Sequence, residues 1–236
     1  MNSQPDKNLI IIVADSPIFN PSEAKAYQNL SVSYSIFLNT LLLSNWIELL
    51  SDFNEKFELV TYIHQKDEKH LPKYFFPIDT KKYFYSGEHS LQFSDFLTKN
   101  STETTSKILI LYFNSIGTTK ENISRIFNLI HTDEPSIVVG KNVKDKITFL
   151  CSQGTQQELL LPMMKSHRKF SEYLGYIAEK DVYVHQMDNC LSIDDFEDIK
   201  KLYIELSKKE SLSYCSKKMH ESFNDLFIEY KELINV

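Results

Sequence analysis

Asn8-Leu-Ile-Ile-Ile-Val-Ala14 is a continuous apolar run rich in β-branched side chains. A strand of this composition is buried on both faces, which is typical of parallel sheets covered by helices. A second run of the same kind, Lys107-Ile-Leu-Ile-Leu-Tyr-Phe113, lies near the middle of the chain. The two runs together predict the centre of a sheet in a fold of the α/β class.

Segments of strand and helix character alternate along the rest of the chain. Strands are predicted at Phe57–Ile63, Lys82–Tyr85, Ser136–Val139, Ile147–Cys151 and, as the last one, Val182–Met187. Helices are predicted from apolar spacing over Ser31–Leu50, Leu91–Leu97, Asp194–Ser207 and Ser211–Ile234. Two further helices are predicted from capping boxes. One starts at Thr118 and Glu121 and runs to Ile130, and the other starts at Thr155 and Glu158. This alternation favours a mostly parallel sheet flanked by helices. Because no stretch resembles a linker, we expect one domain over residues 1–236.

Apolar side chains form a stripe along the last predicted helix. The stripe consists of Met219, Phe223, Leu226, Phe227, Tyr230, Leu233 and Ile234. Packing of this stripe on the sheet is the favoured interpretation. A homodimer through the C-terminal helix is the alternative.

Glycine is scarce, with five residues in a chain of 236, where average usage would give about 16. Glycine-rich phosphate loops need this residue because their backbone approaches the phosphate closely or adopts positive φ. No stretch matches G-x-G-x-x-G or G-x-x-x-x-G-K-[ST]. A P-loop NTPase, a Rossmann dinucleotide enzyme and a protein kinase are therefore not expected.

Charge and cysteine content indicate the environment of the protein. The net charge of −6, without a separate Lys/Arg block, argues against binding to nucleic acid. Cys151, Cys190 and Cys215 form no C-x-x-C pair, which suits reduced, buried thiols in the cytoplasm. The apolar run Leu9–Ala14 is too short for a membrane span or the core of a signal peptide. We therefore expect a cytoplasmic protein without a membrane span.

Polar residues follow both central strands, where ligands bind in open α/β sheets. The candidate nucleotide-binding residues are Ala14, Asp15, Ser16, Lys25, Asn114 and Ser115. The second of these loops leads into the helix predicted at Thr118, and a helix N-terminus attracts anions. The pattern predicts a site for a nucleotide phosphate. The alternative is that these polar residues only form turns and that Thr118 only caps its helix.

Other motifs lack an essential partner. His220-Glu221 begins a zinc motif, H-E-x-x-H, but Asn224 replaces the second histidine, so His220 is interpreted as a surface residue. His64 and His70 lie in a polar segment without a nearby cysteine, and a zinc site is not expected there.

The acidic cluster 194–198 could offer oxygens to a metal. The favoured interpretation is that it forms the first turn of a helix, where negative charge suits the helix dipole.

Four segments, taken in order along residues 8–207, carry a resemblance to a known family. They are Ile12–Tyr27, Ile110–Ile116, Val139–Leu150 and Ser192–Ile199. They are similar to the motifs of small bacterial glycosyltransferase-like proteins of the radical-SAM/selenodomain-associated type. The resemblance implies the GT-A, or nucleotide-diphospho-sugar transferase, fold and a nucleotide or nucleotide-sugar ligand. It also implies Mg²⁺ or Mn²⁺ at Asn114 and Asp194 in an active member.

The chain departs from the family pattern where the chemistry would take place. Tyr27 stands where the family has an arginine. Asn114 and Lys144 stand at aspartate positions, and Asp145 and Lys146 stand at glycine positions. Three acidic residues match the family pattern, namely Asp194, Glu197 and Asp198. An amide is a weaker ligand than a carboxylate for a hard divalent cation. Loss of the arginine removes a bidentate phosphate clamp, and leaves Lys25 as a point charge. Charged side chains at glycine positions obstruct close approach of the backbone to a ligand.

Two functions follow from this comparison. The favoured one is a divergent relative with weakened or lost catalysis that acts as a binding or interaction module. The alternative is an active, metal-dependent nucleotide-sugar or nucleotidyl transferase; an unrelated small-ligand α/β protein is a third. Lys144 or Lys146 filling the crevice would favour the first, whereas Asn114 and Asp194 converging within reach of a metal would favour the second.

Overall fold

The first apolar run forms an inner strand of a seven-stranded sheet in the computed structural model. The structure describes residues 7–72, 76, 80–87, 89–100, 105–130, 134–164, 168–187 and 190–234. The strands are β1 (Lys7–Val13), β2 (Phe57–His64), β3 (Lys81–Tyr85), β4 (Thr105–Tyr112), β5 (Ser115–Ile116), β6 (Ser136–Lys141), β7 (Ile147–Gln153), β8 (Tyr183–Met187) and β9 (Leu191–Ser192). The sheet order is β3-β2-β1-β4-β7-β6-β8, and β5 pairs with β9. Among these seven strands only β7 runs antiparallel to its neighbours, so the predicted mostly parallel sheet is confirmed.

Helices cover both faces of this sheet. They are α1 (Val32–Ser51), α2 (His89–Asn100), α3 (Lys120–Leu129), α4 (Phe170–Ile177), α5 (Phe196–Leu206), α6 (Lys217–Glu229) and α7 (Lys231–Ile234). Short 3₁₀ helices lie at Gln65–His70, Gln157–Leu159, Leu161–Met164 and Lys209–Ser213. Ser31 caps α1 by accepting a hydrogen bond from the backbone N–H of Tyr34, which confirms the predicted start of this helix. Within the described residues no helix is both long and apolar enough to cross a membrane.

The two faces of the sheet carry separate core clusters, which explains the uninterrupted apolar runs. Ile10 and Ile12 of β1 pack with α1, α3, α5 and α6 on one face. Ile11 and Val13 point to the other face, where they pack with α2 and α4. Successive side chains of a strand face opposite sides, so a strand buried on both sides needs an apolar residue at every position.

Three predicted helix boundaries were wrong. The capping box of α3 is formed by Thr119 and Asn122, because the hydroxyl of Thr118 contacts the buried Cys190 Sγ at 3.2 Å. Thr155 and Glu158 open no α-helix: the chain forms two 3₁₀ turns, since Pro162 lacks the N–H that a longer helix requires. The helix predicted from Ser211 begins only at Lys217, capped by Ser216. Val182–Met187 is also not the last strand, because β9 follows it.

The apolar stripe of α6 packs inside the chain. Met219, Phe223, Leu226 and Phe227 are buried in the cluster that also contains the inner strands. The packing interpretation is therefore confirmed for these residues. Leu233 of the same stripe lies in α7 and is exposed. A homodimer through the C-terminal helix stays a prediction.

The topology places a crevice between β1 and β4. The chain passes from β1 through β2 to β3 on one side of β1, and then returns to β4 on the other side. Such a switch point leaves an opening at the carboxyl ends of the two strands, where α/β proteins bind ligands.

Candidate functional site

A small cavity of about 60 Å³ lies at this switch point. The predicted site residues Asp15, Ser16, Lys25, Asn114 and Asp194 line it, together with Tyr27, Lys146, Arg168 and three other residues. Two predicted residues lie next to the cavity but do not line it. Ala14 is buried, and its carbonyl accepts a hydrogen bond from the Tyr85 hydroxyl at 2.9 Å. Ser115 is buried, and its hydroxyl donates to the Tyr112 carbonyl at 2.6 Å.

A buried carboxylate holds the loop that follows β1. Asp67, from the 3₁₀ turn after β2, is fully buried. Its Oδ2 accepts from the N–H of Ile18 at 2.9 Å, and its Oδ1 accepts from the N–H groups of Phe19 and Asn20 at 2.8 and 2.9 Å. A carboxylate with three backbone donors is a strong, charge-assisted anchor. Asp67 therefore fixes the position of the loop that carries Asp15 and Ser16.

Tyr27, where the resemblance implies an arginine, is directed into the protein. Its hydroxyl donates to Asn39 Oδ1 at 3.0 Å, and its N–H donates to Ser35 Oγ at 3.1 Å. Burial, with smaller contributions from the negative charges of Asp194 and Asp15, raises the pKa of the Tyr27 phenol. The phenol is therefore neutral at physiological pH and cannot replace the charge of an arginine.

Asp194 is the acceptor at the centre of the site. Its Oδ1 accepts from Asn114 Nδ2 at 3.1 Å and is paired with Lys146 Nζ, and its Oδ2 accepts from the Ser192 hydroxyl at 2.8 Å. Lys25 Nζ lies 4.0 Å from Oδ1. Burial alone would raise the pKa of Asp194. The hydrogen bond and charge of Lys146, the hydrogen bond of Ser192 and the charge of Lys25 outweigh this effect, so the pKa is lowered. The group is therefore ionised at neutral pH.

Lys146, and not Lys144, fills the crevice. The backbone N–H of Lys146 donates to Asn142 Oδ1 at 2.9 Å, which helps to hold the turn before β7. Burial and the nearby Arg168 charge lower the pKa of Lys146, and the bond to Asp194 opposes this change. The ammonium of Lys144 lies outside the cavity, 2.8 Å from both Asp195 Oδ2 and Asp198 Oδ2.

Arg168 supplies a third cation, which the sequence patterns did not indicate. Its guanidinium lies 3.5 Å from the centroid of the Tyr112 ring, and Nη2 lies 3.3 Å from Asp15 Oδ2. The residue is only 7% exposed. Nη1 is buried and has no hydrogen-bond partner among the described residues. A buried guanidinium nitrogen without an acceptor is unusual, because leaving such a donor unbonded costs free energy.

The acidic cluster begins a helix, as the favoured interpretation predicted. Asp195 caps α5, its side chain accepting from the N–H of Asp198 at 2.9 Å. Asp198 is buried and paired with Lys144 and with Lys201 at 3.2 Å. The two aspartates act as a helix cap and as ion-pair partners, so Asp194 is the one member of the cluster that lines the cavity.

The residues around Asp194 do not fit a divalent cation. Asn114 turns its Nδ2, a donor, towards Asp194 Oδ1 and towards the Ile193 carbonyl at 3.2 Å. Lys146 occupies the same carboxylate oxygen. Across the described part of the chain, no three His, Cys, Asp or Glu side chains form a group that could hold a metal. Mg²⁺ and Mn²⁺ require oxygen ligands, and here the oxygen is already bonded to two nitrogen donors.

The structure thus shows both of the features that were meant to separate the two functions. Asn114 and Asp194 converge, as expected for an enzyme, and Lys146 fills the crevice, as expected for a non-catalytic relative. The two coincide because one carboxylate oxygen receives both donors.

His220 lies away from this cavity. It was interpreted as a surface residue, and it is partly buried, with its Nε2 3.0 Å from the Ser211 hydroxyl.

Acid is expected to weaken the contribution of Asp194 to stability. Its folded pKa is lowered, so the stabilisation is present above the unfolded pKa of about 3.9 and is lost as the pH falls through the folded value. Urea unfolding of the wild type and of Asp194→Asn should give a constant difference in free energy between about pH 7 and pH 5. The difference should shrink below about pH 4, and a difference that persists at about pH 2.5 would contradict the assignment.

Comparison with known proteins shows the fold. No protein-family model matches the chain, and no curated protein sequence matches it. A protein from Desulfovibrio desulfuricans G20, described as a nucleotide-diphospho-sugar transferase, superposes with a TM-score of 0.71 at 10% identity, over 98% of this chain and 97% of its own. The 4-diphosphocytidyl-2C-methyl-D-erythritol synthase of Anaerococcus prevotii DSM 20548 has a TM-score of 0.52 at 11% identity, over 94% and 96%.

A cytidylyltransferase from Leptospira borgpetersenii serovar Hardjo-bovis has a TM-score of 0.50 at 13% identity, over 98% of this chain and 95% of its own. These neighbours are described as a nucleotide-diphospho-sugar transferase, a 4-diphosphocytidyl-2C-methyl-D-erythritol synthase and a cytidylyltransferase. The chain therefore has an α/β fold of the nucleotide-diphospho-sugar transferase type, which confirms the predicted fold class.

Proposed function

We propose that this protein binds a nucleoside diphosphate, free or joined to a sugar, at the carboxyl ends of β1 and β4. It acts as a binding module in which transferase chemistry is weakened or lost. The observation that carries this proposal is the buried Arg168 guanidinium at the cavity, whose Nη1 has no acceptor among the described residues. A phosphate oxygen is the natural acceptor for such a donor.

The charges of the cavity support an anionic ligand. Lys25, Lys146 and Arg168 carry three positive charges, against two negative charges on Asp15 and Asp194, so the local balance is +1. The cavity is small, about 60 Å³, and suits a phosphate group rather than a whole nucleotide. A cleft of about 500 Å³ is lined in part by Ser192, which bonds to Asp194, and offers room for the nucleoside or the sugar.

Weakened chemistry is supported by the residues that replace the family's functional groups. Asn114 presents an amide nitrogen where the family has a carboxylate, and Tyr27 is neutral and bonded inward to Asn39. Transfer from a nucleotide-sugar requires neutralisation of the diphosphate leaving group, commonly by a metal ion. The close approach of Asn114 to Asp194 favours the second candidate, an active metal-dependent nucleotide-sugar or nucleotidyl transferase.

We further take the chain to act as one domain in the cytoplasm. The buried thiols Cys151, Cys190 and Cys215 support a reducing compartment. The two core clusters share the same inner strands, which supports a single folding unit.

Lys25→Ala is expected to weaken nucleotide binding about tenfold, or ~1.4 kcal/mol, while changing the free energy of unfolding by less than about 0.5 kcal/mol. The Lys25 side chain is 48% exposed and 4.0 Å from Asp194, so it contributes little to the fold. Thermal shift and calorimetry with UDP-, GDP- and dTDP-sugars and with NTPs, with and without Mn²⁺, measure the effect.

Lys169→Ala is the matched control for this measurement. Its side chain is 60% exposed and forms a similar surface pair with Glu172 at 3.6 Å. This variant should bind like the wild type. If none of the nucleotides binds to the wild type at millimolar concentration, the proposed function is wrong. Metal-dependent release of a nucleoside diphosphate from a nucleotide-sugar would favour the transferase instead.

A further inference from the structure

The amide of Asn114 has a defined orientation. Its Nδ2 lies 3.2 Å from the Ile193 carbonyl and 3.1 Å from Asp194 Oδ1, and both of these atoms are acceptors. A carbonyl oxygen and a carboxylate can only accept, so the nitrogen of the amide must face them. The Oδ1 of Asn114 then points elsewhere, and it is buried without a hydrogen-bond partner among the described residues. The atom of this side chain that could bind a cation is therefore turned away from Asp194.

Lys146 places a fixed positive charge at the carboxylate. Its ammonium bonds to Asp194 Oδ1, and the side chain is 28% exposed at the edge of the cavity. An ammonium has three donors, and in the described part of the chain Asp194 is the one side-chain acceptor bonded to this one. The remaining donors are available to a ligand in the cavity.

Arg168 indicates independently that a ligand in this cavity is anionic. Its guanidinium is held by the Tyr112 ring and by Asp15, which leaves Nη1 without an acceptor among the described residues. Arg168 and Lys146 line the same small cavity. A phosphate bound there would receive a donor from each side chain.

We infer that the ammonium of Lys146 takes the place of a divalent cation, so that this protein binds a diphosphate without Mg²⁺ or Mn²⁺. This inference rests on the proposed function and specifies its chemistry. Lys146 balances part of the diphosphate charge, and Arg168 supplies directional donors. Asp194 holds the ammonium in position and does not bind a metal.

The test compares binding with and without metal on the wild-type protein. Calorimetry measures the affinity of inorganic pyrophosphate, UDP, GDP, CDP and dTDP, first in EDTA and then in Mn²⁺. Pyrophosphate detects the diphosphate site whichever base the protein prefers. We expect the ligands that bind to do so in EDTA, and Mn²⁺ should not raise their affinity by more than about twofold. Binding that occurs only with Mn²⁺ overturns this inference but leaves the proposed function standing. If no ligand binds in either condition, the proposed function fails and this inference fails with it.

Lys146→Met should lower the affinity in EDTA at least about tenfold, and Lys146→Arg should restore part of it. Lys200→Met is the matched control, because Lys200 is 24% exposed and paired with Glu197 at 3.0 Å, away from the cavity. Circular dichroism verifies that each variant is folded. Equal affinities of the wild type and a folded Lys146→Met would overturn the inference.

Metal binding itself provides a second readout that does not depend on the nucleotide. The electron paramagnetic resonance signal of free Mn²⁺ should be unchanged by the wild-type protein. In the double variant Asn114→Asp, Lys146→Ala, two carboxylates face each other without the ammonium, and this protein should reduce the free signal. Stoichiometric Mn²⁺ binding by the wild type that is lost in Asp194→Asn would overturn the inference.

Discussion

Asp67→Ala is expected to lower the free energy of unfolding by about 2–6 kcal/mol, because two buried backbone donors would lose their acceptor at a cost of about 1–3 kcal/mol each. The carboxylate accepts from three consecutive backbone N–H groups, those of Ile18, Phe19 and Asn20. Alanine has no acceptor to offer them. Since small domains are stable by only about 5–15 kcal/mol, the loss would be a large part of the total.

The same substitution should also weaken nucleotide binding, because the loop that carries Asp15 and Ser16 would lose its anchor. Urea unfolding measures the stability, and hydrogen exchange of the amides of residues 15–20 measures the order of the loop. Asp67→Asn should show an intermediate loss, since the amide keeps one acceptor but turns a donor towards a backbone N–H.

Glu68→Ala is the control for Asp67→Ala, because this neighbour in the same turn is exposed. It should change the free energy of unfolding by less than about 0.5 kcal/mol. A stability of Asp67→Ala within about 1 kcal/mol of the wild type, below the cost of even two stranded donors, would show that the three bonds do not anchor the loop.

Gly140→Ala should destabilise the protein by about 3 kcal/mol, the upper end of the range for overpacking in a core. Gly140 lies opposite Phe149 on the neighbouring strand, and a Cβ at this position would come within 2.0 Å of the Phe149 ring. Two further atoms of the ring lie 2.4 and 2.5 Å from the same point. The ring is buried between strands and helices, so it cannot move aside without disturbing the core.

Phe149→Leu should relieve part of this clash. In a double-mutant cycle, Gly140→Ala should therefore cost less in the Phe149→Leu background than in the wild type. Gly175→Ala is the control, because a Cβ there meets nothing within 4 Å and the residue lies exposed in α4. It should raise the stability by up to about 1 kcal/mol, the difference in helix propensity. Equal stability changes at the two glycines would contradict the steric assignment.

Packing explains why position 140 is a glycine. Its missing side chain makes room for the Phe149 ring. The resemblance implies glycine at positions 145 and 146, and the residues there have different roles. Asp145 adopts a φ of 62°, a left-handed conformation that aspartate tolerates better than most residues, and Lys146 enters the cavity.

The helix boundaries show the limit of local patterns. Thr118 and Thr119 each have a partner three residues later that could complete a capping box, and sequence spacing does not distinguish them. The structure selects Thr119 and Asn122, because Thr118 is buried against Cys190 when β9 pairs with β5. A contact between distant segments therefore decided the first residue of α3.

The sequence by itself determined that the central strands are buried on both faces, and it indicated polar residues that line the cavity. The runs at 8–14 and 107–113 have an apolar residue at nearly every position, and burial on both faces of a parallel sheet follows directly from this local pattern. The topology then places their carboxyl ends side by side. Asp15, Ser16, Lys25 and Asn114 were therefore predictable as neighbours of the cavity, whereas Asp194 was implied only by the resemblance.

Only the tertiary structure decided which groups act together there. Asp67 lies 47 to 49 residues from the N–H groups that it holds, and Lys146 lies 48 residues from Asp194. Arg168 stands in a segment without any motif. Apolar burial leaves a periodic trace in the sequence, because every side chain on a face meets the same environment. An ion pair leaves none, because a charged side chain is compatible with any partner of opposite charge until the fold brings one within reach.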